Sequence, residues 1–154
     1  MLTLSVQYGV PVAPSAVLAR EGPKVEVELR VPKQLADYLT QHGQSVPDPV
    51  TGPGLIDTGA STSMVDANVV KALGVQPVGY VWVYTASGRV QCPTYPLQLR
   101  ILDPPRSPLL VEELASITSG PLQQMKLLCL VGRDILRRGI FIYNGAHGSV
   151  CLTF

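Results

Sequence analysis

The sequence predicts a mostly-β domain with short helices. Fourteen prolines and fourteen glycines in 154 residues cut the chain into short apolar runs, the texture of strands joined by turns. Lys24 to Val31 alternates polar and apolar residues without a break, as a strand with one buried and one wet face does. Tyr80 to Tyr84 and Arg89 to Cys92 flank Thr85-Ala86-Ser87-Gly88, a hairpin signal in which Gly88 can take a positive φ.

The remaining elements follow in chain order. Met1 to Val6 alternates, as a strand would. Tyr8 to Pro23 holds three prolines and two glycines and is predicted irregular. Residues 1–23 thus read as an N-terminal strand and arm ahead of a domain over 24–154. Lys33 to His42 reads as a short helix: Pro32 precedes it, Leu35, Tyr38 and Leu39 share a face, and Gly43 follows. Gln44 to Gly54 reads as a Pro/Gly loop, and Leu55-Ile56 suits a buried strand. A second short helix begins at Asp66, whose carboxylate can cap free backbone N–H groups. Val69, Val70 and Leu73 form its apolar face and Gly74 its stop. Leu97 to Leu102 alternates as another strand, and Asp103 to Pro108, with three prolines, is predicted to be a loop. Leu109 to Ile117 fits either a strand or a short helix. Leu127 to Val131 reads as an apolar strand and Asp134 to Arg138 as a helical turn closed by Gly139. Ile140 to Tyr143, the Asn144-Gly145 turn and Ser149 to Phe154 read as a terminal hairpin.

Composition bounds the function. One chain of this length is most simply one domain with a genuine core. Apolar residues make up 46% and charged residues 15%, which argues for folding and against disorder. A net charge of +1, with no basic run, gives no electrostatic case for nucleic acid or an anionic membrane. Low charge with high apolar content also points to surface buried between subunits. Cys92, Cys129 and Cys151 cannot all pair within one chain, and no Cys-x-x-Cys or His/Cys cluster suggests zinc. They read as reduced thiols, with Cys129 inert in an apolar run. No signal peptide or membrane-spanning run is present, so the chain is expected to be cytoplasmic and without membrane contact. A piece cut from a longer protein would read the same way.

The most informative stretch is Leu55-Ile56-Asp57-Thr58-Gly59-Ala60-Ser61. A strand delivers one carboxylate onto an Asp-Thr-Gly turn, where it is costly unless hydrogen-bonded or used. Asp-Thr-Gly-(Ala/Ser) is expected by chance in about one chain in a few hundred of this length. About seventy-five residues on, the run Leu127 to Val131 ends in Gly132-Arg133-Asp134-Ile135-Leu136. Two such motifs in this order resemble the retropepsin family, the single-lobe aspartic peptidases. Val150 to Phe154 resembles the short C-terminal strand of retroviral members, and the resemblance covers roughly Lys24 to Phe154.

The resemblance implies a closed, retropepsin-like β-barrel working as a two-fold homodimer. It implies an aspartic endopeptidase acting on a peptide or protein substrate without metal or cofactor. Asp57 would be the catalytic residue, on a turn made with Thr58, Gly59 and Ala60. Carboxylate-driven peptide hydrolysis needs two carboxylates sharing one proton. This chain has one Asp-Thr-Gly, so the second would come from a second copy across the axis. The hydroxyl matching Thr58 would bond across the dimer, and the glycine matching Gly59 would let a substrate backbone approach. Gly132, Arg133 and Asp134 would form the structural Gly-Arg-Asp. The hairpin over about 80–95 would be the flap, with Tyr84, Thr85, Ala86, Ser87 and Gly88 about its tip. Trp82 and Tyr84 would face the cleft or support the flap. Residues of about 33–54 would be an insertion relative to compact retroviral members. One departure stands out. Retroviral members carry an acid four residues after the catalytic Asp, paired with the arginine matching Arg133; here Ser61 stands there, and Asp66 offers itself as a substitute partner.

Other chemistries find little support. His42 and His147 lie in no metal-ligand spacing, and neither a Gly-x-Ser-x-Gly elbow nor a phosphate loop occurs. The rival reading is a non-catalytic retropepsin-like module for dimerisation or peptide binding.

Overall fold

The computed structural model describes residues 3–7, 14–85, 88–103 and 107–154. Its ten strands and four helices run β1 (Thr3–Gln7), α1 (Pro14–Glu21), β2 (Lys24–Arg30), α2 (Lys33–Gln41), β3 (Val50–Ile56), β4 (Met64–Asp66), α3 (Ala67–Ala72), β5 (Gly79–Thr85), β6 (Gly88–Asp103), β7 (Ser107–Gly120), β8 (Cys129–Val131), α4 (Arg133–Leu136), β9 (Ile140–Asn144) and β10 (Ser149–Thr153).

The alternation in β2 lays Val25, Val27 and Leu29 into the core and leaves the residues between them half-buried. Both edges of β2 are paired: Leu29 lies opposite Val50 of β3 and opposite Leu99 of β6. That second pairing closes the sheet. The order β2-β3-β8-β4-β7-β6 returns to β2, giving a six-stranded barrel with β5 hairpinned outside on β6. Closure removes edges that would otherwise invite pairing with other chains. Ile56, Val65, Leu97, Leu99, Ile101 and Val131 join the β2 residues inside. A smaller sheet, β1-β10-β9, packs on the barrel through Leu152 and Phe141.

Four expectations need correction. Tyr8 to Pro23 is not irregular throughout: residues 14–21 are α1, with residues 8–13 outside the described set. Pro14 occupies the first helical position, where its missing N–H costs nothing, and Gly22 follows the last. Leu18 of this helix is fully buried. The Gln44 to Gly54 loop is shorter than expected, because β3 starts at Val50. Pro53 is tolerated there. Its carbonyl accepts from Leu128 N at 2.8 Å, so its missing N–H faces the side where β8 has not yet begun. The Asp103 to Pro108 loop also shrinks: Ser107 pairs with Asp103 and Pro108 with Leu102 beside a register shift. Pro104, Pro105 and Arg106 lie outside the described residues. Leu97 to Leu102 is the second half of the sixteen-residue β6, which the hairpin signal and the alternation had marked as two pieces.

Other expectations hold. Leu109 to Ile117 is strand, inside β7. Asp66 caps α3, accepting from Asn68 N at 2.9 Å. Lys33 to His42 is α2 with His42 as its C-cap, laid on the core through Leu35 and Ala36. The terminal hairpin is β9-β10. Among the described residues, no helix is long and apolar enough to cross a membrane.

Candidate active site

β3 and β8 run parallel, with Ile56 opposite Val131. Asp57 and Gly132 therefore leave adjacent strands at the same end of the barrel. Asp57 N donates to Val131 O at 3.0 Å, tying the head of the turn to the end of β8. The Asp57 carboxylate is half-buried. Its Oδ1 accepts from Gly59 N at 2.9 Å and from Ala60 N at 3.2 Å. These two backbone donors fix the orientation of the carboxylate over the turn. Among the described residues Oδ2 accepts no bond from this chain, so one oxygen faces the cleft unclaimed.

The turn is fastened from outside by the Gly-Arg-Asp segment. Arg133 N donates to Ala60 O at 3.0 Å. Arg133 Nη1 donates to Thr58 O at 2.7 Å and to Gly59 O at 2.9 Å. The guanidinium thus neutralises two outward-pointing turn carbonyls rather than a side-chain acid. Asp66 is not its partner, contrary to expectation. It is buried, and its oxygens accept from Asn68 N and from Leu122 N, both at 2.9 Å. A buried carboxylate already satisfied by two backbone donors has no reason to reach for an exposed arginine.

Asp134 completes the fastening through a residue that sequence reasoning missed. Its Oδ1 accepts from Ser63 Oγ at 2.8 Å and from Ile135 N at 3.0 Å, and its Oδ2 from Ser63 N at 3.0 Å. Ser63 Oγ in turn accepts from Gly132 N at 2.9 Å. Ser63 is 2% exposed, so these bonds lie inside the fold. A side chain at Gly132 would meet the Thr62 backbone at 2.7 Å, which is why the motif opens on glycine. The only sequence hint of Ser63 is one hydroxyl among three in Ser61-Thr62-Ser63, and nothing local marks it as the inward one.

A cleft of about 660 Å³ opens over the turn. Asp57, Gly59 and Ala60 lie on one side of it and Val81, Trp82, Val83 and Tyr84 of β5 on the other. Thr94 and Thr118 contribute hydroxyls that the sequence did not single out. The expected β5-β6 hairpin forms, with Thr85 opposite Gly88 and Gly88 at φ +125°. Ala86 and Ser87, expected at its tip, lie outside the described residues. Thr58 and Ser61 are exposed. His42 and His147 are exposed, and neither lines the cleft.

Residues 43–103 match the family described as aspartyl protease. That span carries the Asp57 turn and the hairpin facing it. Among solved structures the chain is similar to a retropepsin-like aspartic protease from Rickettsia conorii, with a TM-score of 0.48 at 14% identity over 97% of this chain and 89% of that one. No curated protein matches. Of the two motifs, the family model covers the Asp57 turn; Gly132-Arg133-Asp134 lies beyond the matched span.

Proposed function

We propose that this chain, matched over residues 43–103 by the aspartyl protease family, is a retropepsin-like aspartic endopeptidase that works as a homodimer. The observation that carries the reading is the Asp57 carboxylate, held by Gly59 and Ala60 N–H groups and facing a cleft walled by the β5-β6 hairpin. One carboxylate cannot both activate a water and polarise the scissile carbonyl. With Asp57 from two copies, one ionised carboxylate takes a proton from the water while its protonated twin donates to the carbonyl oxygen. Water adds to the carbonyl carbon, the C–N bond then breaks, and the amine leaves with a proton from the pair. Thr58, Gly59 and Ala60 shape the turn, Gly132, Arg133 and Asp134 brace it, and the hairpin serves as flap.

The second copy needs a surface. β10 is paired on both sides within its own chain, by β1 and by β9. Among the described residues, the free edges of the small sheet are therefore β1 and β9. β9 carries Ile140 and Ile142 on one face, both more than half exposed. We assign this edge as the contact between copies.

The test is cleavage of a peptide library by the purified chain, its sensitivity to pepstatin, and its mass by sedimentation. The expected result is pepstatin-sensitive cleavage by a dimer, abolished in Asp57→Asn with the fold intact. A strict monomer that cleaves nothing, or an Asp57→Asn protein retaining more than a few percent of activity, would defeat the proposal. A dimer that binds peptides without cutting them would instead favour the binding-module reading.

A further inference from the structure

Trp82 is the one tryptophan of the chain, yet it stands 52% exposed on β5. The Arg89 guanidinium carbon lies 4.1 Å from the centre of its ring, within cation–π range. Trp82 is opposite Gln91 and Arg89 opposite Tyr84, so the two meet diagonally across the hairpin. Trp82 lines the cleft and Arg89 does not. Arg89 thus covers one face of the indole, while Trp82 stays half exposed and lines the cleft. A large aromatic surface already restrained by a neighbouring cation is a stacking platform, because part of the ordering cost has been met before a ligand arrives.

The other groups of the cleft restrict what can stack there. Among the described residues, its only charged lining residues are Asp57 and Asp134. An anionic side chain would meet these like charges. A cationic one would be drawn to these carboxylates and would meet the like charge of Arg89 at the indole. A neutral planar ring meets neither penalty. On the peptidase reading above, we propose that Trp82 is the specificity-determining wall of the cleft, stacking its ring on an aromatic side chain of an extended peptide bound beside Asp57.

The sole tryptophan makes the site its own reporter. The full chain would be titrated with uncleavable peptides in which the central amide is reduced to an amine. The residue before it would be Phe, cyclohexylalanine or Asp. Cyclohexylalanine keeps the size of Phe and loses the π face. The expected result is a change in tryptophan emission and binding of the Phe peptide about threefold to tenfold tighter than that of the cyclohexylalanine peptide, the range set by an aromatic pair, with the Asp peptide weakest. In Trp82→Leu, followed by calorimetry, the Phe to cyclohexylalanine ratio falls to about one. Arg89→Met, which leaves the ring in place but frees it, lowers the ratio only partly. Equal binding of the two peptides to the unaltered chain, or an unchanged ratio in Trp82→Leu, overturns the inference. Parent peptides with ordinary amides, assayed alongside, report cleavage separately. If nothing is cut, the peptidase reading falls, while the wall still stands or falls on the binding ratio.

Discussion

Ser63→Ala removes one oxygen and breaks two bonds that fasten the Asp57 turn. Ser63 Oγ donates to Asp134 Oδ1 at 2.8 Å and accepts from Gly132 N at 2.9 Å. The Gly132 N–H is left in the interior without an acceptor, at about 1–3 kcal/mol. Asp134 keeps the Ser63 and Ile135 backbone donors, so losing the hydroxyl costs it only about 1 kcal/mol more. The sum is about 2–4 kcal/mol. For a chain of this size that lowers Tm by roughly 5–15 °C. Urea unfolding at fixed protein concentration reads it as a lower midpoint with an unchanged slope. Ser61→Ala is the control: Ser61 is exposed, and its loss falls within about 0.5 kcal/mol. Asp134→Asn combined with Ser63→Ala loses about 1 kcal/mol less than the two separately, because they share one bond. A Ser63→Ala loss indistinguishable from that of Ser61→Ala would refute the claim that this hydroxyl locks the turn.

Arg133→Met removes the clamp on Thr58 O and Gly59 O; because the site is exposed, stability falls by only about 1 kcal/mol, whereas kcat/KM on a cleaved peptide falls at least about tenfold, and a stability loss without an activity loss would show the clamp to be passive. Ile142→Lys places a charge on the exposed face of β9 and shifts sedimentation towards monomer, with activity falling in proportion; an unchanged dimer would move the contact elsewhere. Cys129 is buried and its thiol is pushed up from 9.0 to about 12 by desolvation. Between those values the unfolded chain has lost the proton that the folded chain keeps. Unfolding free energy therefore declines as pH rises from 9 towards 12, and the decline is shallower in Cys129→Ala when followed by urea midpoints. Native alkylation at pH 8 modifies the half-buried Cys92 or Cys151 and leaves Cys129 untouched until urea is added, as mass spectrometry of the peptides would report.

The alternation in Lys24 to Val31 revealed β2 because one of its faces is core and the other is not. The hairpin and the two helix stops were legible for the same kind of reason, being written in neighbouring residues. Asp57, Gly132, Arg133 and Asp134 were legible as motifs, and the parallel β3-β8 pairing places the two motifs side by side. What stayed hidden depends on partners far along the chain. Pro53 read as a loop residue, since nothing local says that its strand lacks a neighbour on the N–H side at that point. Ser63 read as one hydroxyl in a polar run, because its burial is decided by residues 132–135. Arg133 was expected to seek an acid, and it instead holds carbonyls that any sequence would supply. α1 was missed for a different reason: three prolines outweighed the position of one of them, at which proline starts a helix.

The fastening of the Asp57 turn also sets when it can form. The bonds from Gly132 N, Ser63 N and Arg133 Nη1 span 69, 71 and 75 residues. Each requires a loop of that length to close before it returns any energy, and contacts so distant in sequence form slowly. During synthesis the turn is made about seventy residues before its brace. Until then the carboxylate sits on a segment with no rigid frame, and the nascent chain has a motif without a site. On the peptidase reading, that delay keeps the carboxylate without its frame until residues 132–134 have been made.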